Sequence, residues 1–249
     1  MPTTYQKNFL TDVIFRVDFS PILELETDTP KKFQSLISEK FPVLEPIKQM
    51  GFIFQSDGKE TTTKNADKTI WRFKTTSGEM FIELDSMFLA VVFKKYDNFT
   101  QLKEIVDFCI QKLYESYPNI AVNRLGLRYI NQINLEEQDF FNWTNYLSEH
   151  LVGNLNFIED KNLLRRYFNS FEIMPEDGIQ LNFKYGIFNK TYPEAVTVKE
   201  FVLDYDCYTQ STLTKDELVP KLTILNNYAT DYFEKSISDN LRQKLNNNE

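Results

Sequence analysis

The 249-residue sequence predicts an α+β fold in which antiparallel β-sheets carry long helices on one face, arranged as two similar tandem modules. Three observations lead there. Short runs alternate apolar and polar residues with a period of two, as half-buried strands do. Several of these runs are separated only by turn residues, the mark of an antiparallel meander. Each group of strands is followed by one long stretch with apolar residues at helical spacing.

In chain order, "TDVIFRVDF" (11–19) sets Val13, Phe15, Val17 and Phe19 against Ile14, Arg16 and Asp18, a half-buried strand. "DTPKKFQSLISEKFP" reads as a helix with Thr29 as N-cap, Pro30 at the first helical position, a stripe of Phe33, Leu36 and Ile37, and Pro42 as its stop. Residues 55–67 are polar and aperiodic, an exposed loop with the length of a lid. "TIWRFKTT", "EMFIEL" and "MFLAVVFKKY" form the meander, with "SG" and "DS" as turns. Next comes a helix capped by Asn98, its stripe made of Leu102, Ile105, Val106, Cys109, Leu113 and Tyr117, and stopped by Pro118. "VNRLGLRYINQI" (122–133) is a strand, and "DFFNWTNYLSEHLVGN" an amphipathic helix ending at Gly153. "LLRRYFNSFEIM", "IQLNFKYGIF" and "KEFVLDYDCYT" follow as strands. The chain closes in helix, with Thr214 and Glu217 as a capping box and Pro220 pushing the regular helix toward Val219. The shared order of strands and then one long helix divides the chain into modules 1–135 and 136–249, a likeness of architecture rather than of residues.

Composition narrows the function. The chain is 42% hydrophobic and 15% aromatic, so it folds around a core, and its 7 glycines are spread without a Walker or Rossmann fingerprint. Net charge is -8, which argues against generic DNA binding and against anionic membranes. No apolar run reaches the roughly 20 residues of a membrane helix, and "MPTTYQKNFLTDVIF" lacks a basic leader with an apolar core, so a cytoplasmic protein is expected. Cys109 and Cys207 sit among apolar residues as small buried hydrophobes. His150 is the single histidine, which disfavours a multi-histidine zinc site or a histidine-dependent nucleophile, and no cofactor is expected.

The chemistry concentrates in "RLGLRYIN". On a strand, Arg124, Gly126 and Arg128 share one face, opposite Leu125, Leu127 and Tyr129. The leucines then point to the core beneath the 99–117 helix. The arginines stand about 13 Å apart at the backbone on the open face, with Gly126 leaving a gap that a ligand or a neighbouring backbone could enter. Two uses fit. Arginine forks suit a carboxylate or phosphate, and they equally suit cross-strand ion pairs with Asp204 and Asp206, which share a face in "VLDYDCY".

The same segment resembles the hallmark of a sporadically distributed, functionally uncharacterised family of bacterial proteins of about this length. Their mid-chain strand reads Arg-Leu-Gly-aliphatic-Arg-Tyr-aliphatic-Asn. The early strand with "FQSLISEKFP" and the late "YFEKSISDNLR" also resemble that family's ends. The resemblance implies a stand-alone cytosolic protein with no established catalytic activity or cofactor, in accessory or defence-type gene neighbourhoods. It also adds Asn131 to the site, although parity sets Asn131 with Tyr129, so a bulge or strand end is needed to bring it beside the arginines.

The leading expectation is a non-enzymatic binding or regulatory protein whose ligand site comprises Arg124, Arg128, Tyr129, Asn131 and Arg165. Its ligand would be an anionic small molecule or an acidic partner segment, and oligomerisation is compatible with it. One alternative is a metal-dependent phosphoesterase using Asp204 and Asp206 as ligands, for which the sequence shows no third hard ligand. Another is an antitoxin-like protein whose acidic surface covers a basic partner.

Overall fold

Strand β1 (Leu10–Phe19) buries Val13, Phe15, Val17 and Phe19 almost completely, the period-two pattern of its sequence made structural. In the computed structural model, which describes residues 5–49, 52–56, 61–65 and 68–246, this strand lies in the middle of one nine-stranded antiparallel sheet. Short helices α1 (Glu24–Thr27) and α2 (Lys31–Ile37) follow, then β2 (Val43–Gln49), β3 (Phe52–Ser56), β4 (Thr61–Asn65), β5 (Lys68–Lys74), β6 (Met80–Leu84) and β7 (Phe88–Phe93). Helix α3 (Phe99–Ser116) leads to β8 (Val122–Leu135), short α4 (Glu149–Val152), β9 (Tyr167–Glu176), β10 (Ile179–Ile187) and β11 (Lys199–Thr209). Helices α5 (Lys215–Ser236) and α6 (Asp239–Asn246) complete the α+β fold.

The sheet order is β2-β5-β6-β7-β1-β8-β11-β10-β9, with β3 and β4 paired as a separate hairpin. This order is a topological repeat. In each half the leading strand, β1 or β8, pairs with the last strand of the meander that follows it, β7 or β11, and that strand runs into a long helix. The two halves meet where β1 pairs with β8. The repeat therefore turns over after α3, with β8 opening the second half-sheet rather than closing the first. Both halves share one core.

Local chemistry explains the elements. The Asn98 side chain accepts the Gln101 N–H at 2.9 Å and fixes the start of α3, whose Leu102, Val106, Cys109, Ile110 and Leu113 are buried. At the start of α5 the Glu217 carboxylate accepts the backbone N–H of Thr214 at 2.8 Å. The helix begins at Lys215 rather than near Val219, because Pro220 in its second turn forfeits a single intrahelical bond. Helix α5, which follows β11, packs on β8 and β11 with α3 beside it.

Other expectations change. Pro30 is the N-cap of α2 rather than its first helical residue. The expected loop 55–67 is flanked and partly built by the β3–β4 hairpin, while 57–60 and 66–67 lie outside the described residues. Strand β2 carries Pro46, which a sheet edge tolerates because no ladder N–H is needed on the outer side. The expected helix over 139–154 is instead a series of turns ending in α4 and a 3-10 turn. There the Asp139 carboxylate takes the N–H groups of Phe141 and Asn142, and Lys199 takes the Asn142 carbonyl at 2.7 Å, diverting the backbone groups a helix would use. No helix among the described residues is long and apolar enough to cross a membrane.

Candidate functional site

From Arg124 onward strand β8 alternates, so its odd residues face the helices and its even residues the open face; the register slips only at its first residues, where Asn123 is skipped and Val122 is buried. Arg124, Gly126 and Arg128 line a groove there of about 420 Å³, together with Arg16 and Asp18 of β1, Phe88 of β7 and Asp206 of β11. The register brings them together: Asp18 lies opposite Arg124 across β1–β8, and Asp206 lies opposite Arg128 across β8–β11.

The two arginines behave differently. Arg128 forms a two-pronged fork on Asp204, Nε to Oδ1 at 2.7 Å and Nη2 to Oδ2 at 2.6 Å, and this bonding raises its already high pKa. Asp204 is only 5% exposed, so Arg128 is the group that makes its burial tolerable. Arg124 instead lies between two carboxylates without a hydrogen bond among the described residues. Its Nη1 is 3.5 Å from Asp18 and its Nη2 3.6 Å from Asp206, and its guanidinium packs 4.6 Å from the centre of the Tyr208 ring. It folds back over Gly126, where an added Cβ would come 2.9 Å from Nη1. The expected gap at Gly126 is thus filled by Arg124 itself. Burial raises the Asp206 carboxyl above its usual range, outweighing the opposing pull of Arg124 and Arg128.

The remaining expected site residues lie elsewhere. Arg165 precedes β9, where its Nη1 donates to the Asn162 carbonyl at 2.6 Å, and β10 and β11 stand between that edge strand and β8. Tyr129 and Asn131 point to the helical side, because β8 has no bulge at 131 to change their parity; the irregularity there is in β1, which skips Thr11. Both line a separate cavity. The metal reading loses its ligands: both Asp204 oxygens are held by Arg128, and among the described residues no three His, Cys, Asp or Glu side chains gather to hold a metal ion.

The chain matches no family model and no curated protein. What the groove does must therefore be read from its own residues. Arg16, Asp18 and Tyr208 belong to it and were not singled out from the sequence. Their parity was visible, Arg16 and Asp18 opposite Phe15 and Val17, and Tyr208 in step with Asp204 and Asp206. The nearness of Arg16 and Asp18 to Arg124 depends on β1 pairing with β8 across more than a hundred residues of chain, and that of Tyr208 on β11 pairing with β8. Arg16 is fixed by Asp18, Nε to Oδ1 at 2.7 Å, and lies 4.0 Å over the Phe88 ring.

Proposed function

We propose that this chain is a non-enzymatic binding protein whose open-face groove takes an anionic group, a carboxylate or phosphate of a small molecule or of an acidic partner segment, on Arg124. One observation carries the reading. Arg124 is held in place by Asp18, Asp206 and Tyr208, yet none of its N–H groups makes a hydrogen bond among the described residues. A guanidinium that is positioned but not hydrogen-bonded has its fork free for an incoming oxyanion, and charge-assisted bonds of that kind contribute about 1.5–3 kcal/mol each. Arg128 serves the fold, and its fork is already occupied. The accessory or defence-type setting implied by the "RLGLRYIN" resemblance accommodates a binding module of this kind.

Calorimetric titration with inorganic phosphate, ATP and a polyglutamate peptide tests the proposal, with Gly126→Ala as the diagnostic variant. The new methyl displaces the flexible Arg124 fork and removes no charge. Saturable binding to the wild type that is lost in Gly126→Ala supports the reading. Heat with none of the three probes, or binding that survives the displacement, sinks it.

A further inference from the structure

The geometry points to a second binding site, on the helical face, built to take a small neutral heteroaromatic ring that carries a hydrogen-bond donor beside an acceptor. It stands on different residues from the groove and goes beyond the reading of the open face. A cavity of about 180 Å³ lies between the 5–10 segment, the turn before α3, strands β8 and β11, and helix α5. A cavity of roughly 150 Å³ holds benzene, so this one suits a single substituted ring.

Its walls combine aromatic surface with unused amide groups. Tyr96 and Tyr129 meet edge to face, with ring centres 5.8 Å apart at 86°. Asn226 of α5 is 4% exposed, and its Oδ1 accepts the Tyr129 hydroxyl at 2.7 Å, while its NH₂ group donates to nothing among the described residues. Asn131 is 5% exposed, with one long bond from Nδ2 to the Leu203 carbonyl at 3.5 Å and an Oδ1 that accepts none among the described residues. Whichever way the two carboxamides are turned, each keeps hydrogen-bonding capacity unspent. The fully buried Tyr205 hydroxyl, on the same wall and near Ser236, completes no hydrogen bond among the described residues. Buried polar groups are nearly always hydrogen-bonded, so such a concentration around one cavity marks a place where a guest supplies the missing partners.

The charged side chains Lys7, Asp97 and Glu234 also line the cavity, but the guest is neutral because the buried groups with capacity to spare, Asn131, Asn226 and Tyr205, carry no charge. Burial raises the pKa of Tyr96, Tyr129 and Tyr205, which keeps the phenols protonated. At the rim, Glu234 is already engaged by the Tyr5 hydroxyl at 2.6 Å and by Arg242 at 3.0 Å. A ring amide or lactam answers the requirement: its flat face packs on the tyrosines, and its N–H and C=O meet the two asparagines.

The test is calorimetry and thermal melting of the full chain with uracil, cytosine and nicotinamide, and with benzene as the apolar control. At least one polar ring is expected to bind saturably and raise the melting temperature, with at least tenfold weaker binding in Asn226→Leu. Thr230→Phe, which fills the cavity from one helical turn beyond Asn226 and leaves both asparagines in the chain, is expected to abolish binding and serves where Asn226→Leu fails to fold. Three outcomes overturn the inference: no heat with any polar ring, binding undiminished in Thr230→Phe, or benzene binding as well as the polar rings.

Discussion

Removing Arg128 strands a carboxylate. Asp204 is 5% exposed, and both of its oxygens are bonded by the Arg128 fork at 2.7 and 2.6 Å. Breaking a fully buried pair from one side costs about 3–5 kcal/mol. Here the arginine side chain is itself 39% exposed, so water can follow it into the groove, and Arg128→Ala is expected to destabilise by about 2–3 kcal/mol. Asp204→Ala leaves the better-solvated partner behind and should cost less, about 1–2 kcal/mol. The double replacement Arg128→Ala with Asp204→Ala should cost only about 2 kcal/mol, half the sum of the single losses, since neither charge is then stranded. Guanidinium denaturation followed by tryptophan fluorescence measures all four corners of the cycle, with stability read from shifts in midpoint at constant slope. A coupling energy near 2 kcal/mol is expected. A value below about 0.5 kcal/mol, typical of an exposed pair, would refute the argument and show that Asp204 keeps its water.

Further expectations follow from other sites. Gly186→Ala should loosen β9 and destabilise by several kcal/mol in a denaturant melt, because Gly186 has φ +146 and an added Cβ would lie 1.9 Å from the Tyr167 carbonyl oxygen, a backbone atom that cannot step aside; near-wild-type stability would contradict the close approach. Cys109 and Cys207 are buried, with the Cys207 thiol pushed up to about 12 and Cys109 likewise raised by burial, so a thiol reagent should react with neither until the protein unfolds. For Asp206, a carboxyl raised in the folded state contributes stability that is fully present below its ordinary value of 3.8 and lost as pH climbs through the folded value. Arg124→Gln removes one of the cations opposing that shift, so a carbon-detected NMR titration should find Asp206 titrating at still higher pH in the variant, and a downward shift would reverse the assignment of causes.

How much of this was legible depends on the range of the interaction. Elements set by their own residues read well: β11 spans the expected Lys199–Thr209, and Asn98 caps α3 as its sequence signals. The face of Arg124 and Arg128 also followed from parity alone. Elements set by distant partners did not. The 139–154 segment has helical spacing, but Trp143 is wholly buried and Lys199, from β11, claims the Asn142 carbonyl. The separation of Tyr129 and Asn131 from the arginines was implied by the same parity, and the groove's second wall, Arg16 and Asp18, required knowing that β1 lies beside β8. Gly126 was read as space, because a sequence does not show that the neighbouring side chain folds back to occupy it.

The place of β1 has a consequence for how the chain comes into being. Phe15 pairs with Leu127, roughly 110 residues downstream, and β8 in turn awaits β11. At about 5–20 residues per second of synthesis, β1 spends about 5–20 seconds with one edge unclaimed. During that interval the nascent first half presents a flat row of free N–H and C=O groups along Asp12–Phe19, backed by some of the most apolar residues of the core. A ribosome-bound chain arrested before Val122 should therefore recruit holding chaperones or pair with a second nascent copy. Release of β8 from the exit tunnel then covers the free edge of β1, and the edge of β8 itself stays open until β11 follows.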